Sequence, residues 1–365
     1  MRILYSGESH MEAVIAVIEG FPAGFHVDVG RINRDLAMRQ DGYGRGDRMK
    51  IESDRVEIYS GIINGMTIGS PITLVVRNKD VRRESWNPED RRTIPRPGHA
   101  DFAGATKYGL DDFRLVAERA SARQTASWVA AGSLFTQFLE EIGIEIIAFV
   151  ESIGDVKTGH IEDPFVLKEK IESSPFRIPD PGIEDEMKSL VDRTKEDGDS
   201  LGGVFCVVAR GCPAGLGSYN HPDRRLDAML ASAFMGIPSA KGVEIGAGFK
   251  SAGLTGSGMN DGMEMHDGKV VRKTNNAGGI EGGVSNGEDI IVRCAAKPIP
   301  TVRRKIPSID FNTETPADSP YIRADVCVLP AMSVIGESVM ATVLCKSFLE
   351  RYGCDNMELI RRNFL

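Results

Sequence analysis

The sequence predicts an α+β fold with antiparallel sheets and buried helices, in one domain covering residues 1–365. Three observations predict it. Short apolar runs rich in β-branched residues (55–62, 71–76, 202–210 and 288–296) are separated by glycine turns, so no regular βαβ alternation builds a parallel sheet. Within 112–142 lies ASWVAAGSLFTQFLEEI, apolar on most of its circumference, which reads as a buried helix. A second long helix is expected over 332–352, ended by Gly353.

Taken in order, residues 2–5 read as a short strand. Gly7-Glu8-Ser9-His10 reads as a polar turn, and the apolar run 13–18 as a helix stopped by Gly20 and Pro22. Residues 31–39 have helical periodicity. RVEIYSGI and PITLVV read as strands joined through Asn64-Gly65. Residues 77–96, RNKDVRRESWNPEDRRTIPR, are basic and aperiodic. They read as a mobile loop, either a solvated segment or a lid over a charged substrate. After the 112–142 helix, IEIIAFVESIG reads as a strand, and 155–200 is polar, with proline breaks between two helical segments. Strands are expected at 202–210, 242–249 and 288–296, and a helix at 224–234. The stretch 275–287, NNAGGIEGGVSNG, can lie against a planar ligand, cradle a phosphate or form a plain hairpin.

Composition excludes several classes. The chain has 365 residues, 41 % hydrophobic and 26 % charged, which is ample for a globular core. A formal net charge of −8 leaves no general basic field, so neither nucleic acid nor an anionic membrane is expected as a partner. The six cysteines form no CxxC and no Cys/His spacing, so no metal is expected. Several lie in apolar runs such as GVFCVVA, as buried free thiols in a reducing cytoplasm would. MRILYSGESH lacks the basic-then-apolar signal pattern, and no run approaches the roughly 20 apolar residues that span a bilayer. The expectation is a cytoplasmic protein.

The densest chemistry lies at 96–125, RPGHADFAGATKYGLDDFRLVAERASARQT. A stiff Arg-Pro-Gly turn presents His99 beside Asp101, and Arg119, Ser121 and Arg123 feed into a helix start. Histidine titrates near neutrality and arginine grips oxyanions as a fork, so acid–base and anion-binding groups share one stretch. His10 stands at an element end beside Ser9, and Asp325 stands late in the chain near Arg323. MRQDGYGRGDRM at 38–49 interleaves glycines with Arg39, Arg45 and Arg48, a loop able to wrap N–H and guanidinium groups around an anion. It is neither a Walker loop nor GxGxxG, and there is no Gly-x-Ser-x-Gly. An anionic small molecule handled by acid–base groups fits best. A structural or adaptor protein is the rival class.

GESH at 7–10, IEGFPAG at 18–24, the 38–49 loop, RPGHAD at 96–101 and RxSARxTA at 119–126 together resemble the chorismate synthase family. NNAGGIEGG and KPIPT in the second half match as well, and the order is right over nearly the whole chain. The resemblance implies a β-α-β sandwich, antiparallel sheets on both sides of a helical core, assembled as a homotetramer. It implies a phosphate lyase that converts 5-enolpyruvylshikimate-3-phosphate to chorismate by 1,4-anti elimination, the last common step of the shikimate pathway to aromatic amino acids. No net redox change occurs, yet reduced FMN is required. NADPH enters only indirectly as reductant, and the short, monofunctional form implies a separate flavin reductase.

The same resemblance assigns residues. His10 would be the general acid toward the leaving phosphate, and His99 would stand at the N1/C2 edge of reduced FMN. Asp325 would act with flavin N5 in removing the C6 proton. Arg39, Arg45, Arg48 and Arg123 would bind substrate or NADPH. FMN binding carries over to Arg119, Ala120, Ser121, Ser239, Ala240, Gly282, Lys297, Pro298, Ile299, Pro300, Thr301 and Arg323. The chain departs from the family pattern at Met11 after GESH, at Ala120 and Gln124 in RASARQT, and at Ala324 and Val326 around Asp325. A flavoprotein oxidoreductase performing net hydride transfer and a non-catalytic tetrameric binding protein remain as alternatives.

Overall fold

Two antiparallel sheets enclose a layer of helices in the computed structural model, which describes residues 1–46, 53–82, 87–321, 325–353 and 355–364. The first sheet contains β1 (Arg2–Gly7), β2 (Ala13–Glu19), β3 (Val56–Ser60) and β4 (Ile72–Arg77), in the order β1-β2-β4-β3. Its register lines up Tyr5, Ala16, Leu74 and Ile58 across the sheet, on the face that meets the helices. The second sheet contains β5 (Glu145–Ile153), β6 (Val156–Lys157), β7 (Gly203–Arg210), β8 (Ala240–Ile245) and β9 (Ile290–Ala296), in the order β8-β9-β7-β5-β6. It is covered on both faces. Ala148 and Val207 join the main core, while Ile147, Phe149 and Cys206 pack on Ile171 behind it. That is why EIIAFV reads as a continuous apolar run rather than an alternating one.

The helical layer is built from α1 (Val29–Gln40), α4 (Thr125–Glu141) and α6 (Leu329–Tyr352). The helices α2 (Asp101–Tyr108), α3 (Phe113–Ala120) and α5 (Leu226–Met235) lie around them. α4 packs on β2 and β4, α6 packs on β5 and β7, and the two helices pack on each other. Gly132 sets their closeness, because a Cβ there would lie 2.3 Å from Ser338 Cβ. Phe135, Phe138 and Phe348 are fully buried, each worth about 1.5–3 kcal/mol of hydrophobic stabilisation.

Several expectations are corrected. The run 13–18 is a strand, not a helix: it is short and rich in Val and Ile, and it pairs with strands on both sides. The single helix over 112–142 is broken at Ser121, whose ψ of 142° is extended and whose side chain caps a following 3-10 turn over Ala122–Gln124. The strand expected to 249 ends at Ile245, and α6 begins at Leu329 with Pro330 in its first turn, where a missing N–H is tolerated. α6 is long and apolar enough to cross a membrane, contrary to the reading of the sequence, but 83 % of its apolar window is buried against its own chain. The Asn64-Gly65 turn does close a hairpin, with φ of 49° and 77° as such two-residue turns require. Cys206, Cys212, Cys294, Cys327 and Cys345 are free and buried, as expected; Cys354 lies outside the described residues.

Candidate active site

Segments from both halves of the chain surround a cavity of about 810 Å3. The turn after β1 brings His10. The break between α3 and α4 brings Ala120, Ser121, Ala122 and Arg123, and the RPGHAD turn brings Arg96 and His99. The loop after α1 brings Arg45 and Gly46, and the segment before α6 brings Asp325. Val328, Ala331, Met332 and Ile335 form an apolar wall at the start of α6.

His10 is held by one carboxylate at two points. Its ring Nδ1–H donates to Glu118 Oε1 (2.6 Å) and its backbone N–H to Glu118 Oε2 (2.7 Å). On the other side of the ring, Nε2 lies 3.7 Å from Asp80 Oδ2. Asp80 in turn accepts from Arg82 through both oxygens (2.9 and 2.6 Å). Ser9 beside it is buried and donates to Ser121 Oγ (3.0 Å).

His99 has a tighter shell. Its Nδ1–H donates to Asp101 Oδ1 at 2.5 Å. Arg96 grips the same carboxylate as a fork, Nε to Oδ2 at 2.7 Å and Nη2 to Oδ1 at 2.8 Å, and its backbone N–H adds a third bond. Burial alone would raise the Asp101 carboxyl, but hydrogen bonds from Arg96 and His99 outweigh it and hold that group well below the usual carboxylate range. Asp101 opens α2, where a negative charge also complements the helix terminus.

Asp325 accepts from Gly46 N–H (2.5 Å) and pairs with Arg45 Nη1 at 3.0 Å. Arg39 and Arg123 also line the cavity, but their donors are largely taken. Buried Asp54 receives Arg123 Nη1 at 2.6 Å and Arg39 Nη1 at 3.4 Å. Arg39 bonds further to Thr125 and Ala122, and Arg123 to Asn78 and Arg77. Burial lowers the Arg39 guanidinium from its ordinary value; Asp54 opposes this, and Arg123 and Arg45 add to it.

The remaining candidates divide. Ser239, Ile299, Pro300 and Thr301 line the cavity with Ala120 and Ser121. Ser239 does so in a left-handed conformation, φ 74°, the kind of backbone strain that clusters at ligand sites. Lys297 ties the two walls together by donating from Nζ to Gly98 O (3.0 Å). Arg119 turns away: it donates to the Gly7 and Tyr5 carbonyls of β1 (both 2.8 Å) and does not line the cavity. Ala240, the first residue of β8, and Pro298 do not line the cavity, and Gly282 lies in a tight hairpin turn between Ile280–Glu281 and Val284–Ser285. The glycine-rich stretch thus forms a hairpin region, in which a Cβ at Gly278 or Gly279 would meet the backbone of Gly246 or Asp289. Arg48, Arg323 and the departure Ala324 lie outside the described residues.

The sequence reading missed Glu118, Asp80, Arg82, Arg92 and Arg114. For the arginines a signal existed, since Arg82 and Arg92 belong to the basic stretch 77–96. Glu118 lies inside the 96–125 stretch, but nothing in its spacing marks it as the partner of His10. Among the described residues, seven arginines line the cavity against Asp80, Glu118 and Asp325. The Arg92 guanidinium has no hydrogen-bond acceptor among the described residues, and burial and then neighbouring Arg96 push its pKa down. Such an arrangement can bind an anion with several oxyanion groups and offers two imidazoles and a carboxylate that can move protons on it.

Comparison with known proteins identifies the family. The chorismate synthase family model matches residues 1–349. A chorismate synthase of Alkaliphilus metalliredigens is 47 % identical over 374 residues, covering 100 % of this chain and 98 % of that one. One of Desulforudis audaxviator is 50 % identical over 371 residues, covering 98 % of this chain and 94 % of its own. A crystal structure of chorismate synthase superposes with a TM-score of 0.81 at 39 % identity, covering 100 % of this chain and 96 % of that one.

Proposed function

The chain belongs to the chorismate synthase family, a family of lyases, and from that premise we propose that it eliminates phosphate from 5-enolpyruvylshikimate-3-phosphate in a 1,4-anti sense, with reduced FMN as cofactor, to give chorismate. The observation that supports this most is convergence: His10, His99 and Asp325, remote in sequence, meet on one arginine-lined cavity.

The size and lining of the cavity support this reading. Its volume of about 810 Å3 lies in the range that holds a drug-sized molecule. Its apolar wall suits a flat ring system, and its arginines suit phosphate and carboxylates. Ala120, Ser121, Ser239, Ile299, Pro300 and Thr301 are the residues we assign to holding FMN, and the reduced flavin supplies electron density transiently, so that no net redox change results. His10 holds a proton on Nε2 toward the leaving phosphate, which departs more readily once protonated. His99, kept oriented by Asp101, would offer its imidazole to the negative charge of a bound reduced flavin. Asp325, positioned by Gly46 and Arg45, takes the C6 proton. Arg45, with Arg39 and Arg123 behind it, provides positive potential for the substrate oxyanions.

We further propose a cytoplasmic homotetramer supplied with reduced flavin by a separate NADPH-using reductase. Exposed apolar side chains support the assembly, among them Leu4 on the first sheet and Met263, Met265 and Val270 on a projecting hairpin. The decisive test of function is anaerobic turnover with dithionite-reduced FMN. Chorismate and phosphate should appear in equal amounts, with substrate far exceeding flavin. Tight FMN binding without product would refute the activity, and NADPH consumption in step with product would favour an oxidoreductase.

A further inference from the structure

We propose that Glu118 is the positioning residue for His10: it fixes the ring proton on Nδ1 and so reserves Nε2 as the atom that delivers a proton into the cavity. The inference rests on the reading of His10 as general acid.

The geometry carries it. Glu118 lies in the last turn of α3, is 8 % exposed and lines the cavity. Both of its oxygens are committed to one residue, Oε1 to the His10 ring and Oε2 to the His10 backbone N–H. Its own carbonyl accepts from Ser9 N–H (3.0 Å), so α3 grips the turn after β1 through main chain and side chain together. From the opposite side, Arg82 N–H donates to His10 O (2.9 Å) and Asp80 faces Nε2. The imidazole is therefore clamped between Glu118 on one side and the Asp80–Arg82 pair on the other. A carboxylate only accepts, so Nδ1 must carry hydrogen. In the transfer step the Nε2–H bond breaks and the proton passes to a phosphate oxygen. The imidazolium becomes neutral, and its remaining proton stays on Nδ1 in the bond to Glu118. Without an acceptor on Nδ1, the neutral ring can keep its proton on Nε2, and the donor's product state is no longer the favoured one.

Glu118→Gln isolates this role. The amide has nearly the same volume but only one acceptor oxygen, so it cannot serve both His10 donors. Nitrogen-15 solid-state NMR of histidine-labelled protein, assigned with His10→Asn, reads the neutral tautomer directly. The wild type should show a protonated Nδ1 and a bare Nε2, and Glu118→Gln should shift population to the reverse. In steady state, Glu118→Gln should lower kcat roughly tenfold or more, a part of the usual general-acid contribution. KM for the substrate should stay within about twofold, and Glu118→Asp should recover part of kcat. A bare Nδ1 in the wild type, or wild-type kcat in Glu118→Gln, overturns the proposal. Full turnover by His10→Asn would instead sink the general-acid reading itself. An inactive His10→Asn beside a fully active Glu118→Gln leaves that reading standing and removes only Glu118 from it.

Discussion

His10 and His99 line the same cavity, and each donates from Nδ1 to a carboxylate, yet their surroundings differ in kind. The Asp101 carboxylate of His99 is shared with Arg96, so one anion is balanced by a fixed cation three residues before the histidine. The Glu118 carboxylate of His10 bonds to His10 alone through both oxygens, and the other side of that ring meets Asp80, itself paired with Arg82. His99 is thus held in a rigid, charge-compensated turn, suited to a fixed electrostatic role. His10 stands between Glu118 and the Asp80–Arg82 ion pair, a different electrostatic setting. Similar first contacts produce different chemistry because the next shell differs.

The largest effects are expected at the histidines. His10→Asn should lower kcat by about 10²–10⁴-fold, the range of general acid catalysis, in the anaerobic chorismate and phosphate assay. If His10 and His99 variants gave identical losses and identical pH profiles, the division of roles would fail. Next comes stability. Asp101→Asn leaves Arg96 buried without its counter-charge and should cost about 3–5 kcal/mol in denaturant unfolding. The sign with pH follows from the depressed Asp101 carboxyl. Its contribution is complete above the unfolded value near 4 and is lost as pH falls through the lower folded value, so the variant's stability should fall less steeply than the wild type's in acid. No difference between the two acid limbs would show that the Arg96–Asp101–His99 cluster does not bear on the folded state.

Two smaller effects sharpen the picture. Arg92→Ala removes a half-buried cation that the described residues leave without an acceptor, so KM should rise about tenfold with kcat little changed, as expected for an ordinary binding contact of about 1.4 kcal/mol. An unchanged KM would place Arg92 outside ligand recognition. Ser121→Ala removes the acceptor for Arg123 N–H and for Ser9, and should cost about 1 kcal/mol in thermal unfolding.

The difference between the histidines also explains what could be read in advance. The shell of His99 is local: Arg96, His99 and Asp101 fall within RPGHAD, so the motif itself carries the geometry. The strands with clear β-branched runs and the buried α4 were legible for the same reason, since periodicity and composition act over a few residues. The apolar run 13–18 was misread because a short apolar segment looks alike as strand or helix until its partners are known, and here β1 and β4 flank it.

The residues alone therefore established the α+β class, the family, and the inventory of acid–base and arginine groups. Folding settled which of them meet. Glu118 reaches His10 across 108 positions, Asp54 joins Arg39 to Arg123, and Gly46 N–H finds Asp325 across 279. It also turned Arg119 onto the β1 carbonyls and left Gly282 in a hairpin outside the cavity. Local sequence encodes backbone preference and side-chain chemistry, whereas hydrogen-bond partners between distant segments depend on how the two sheets and the helices between them pack, and no short window of sequence contains that information.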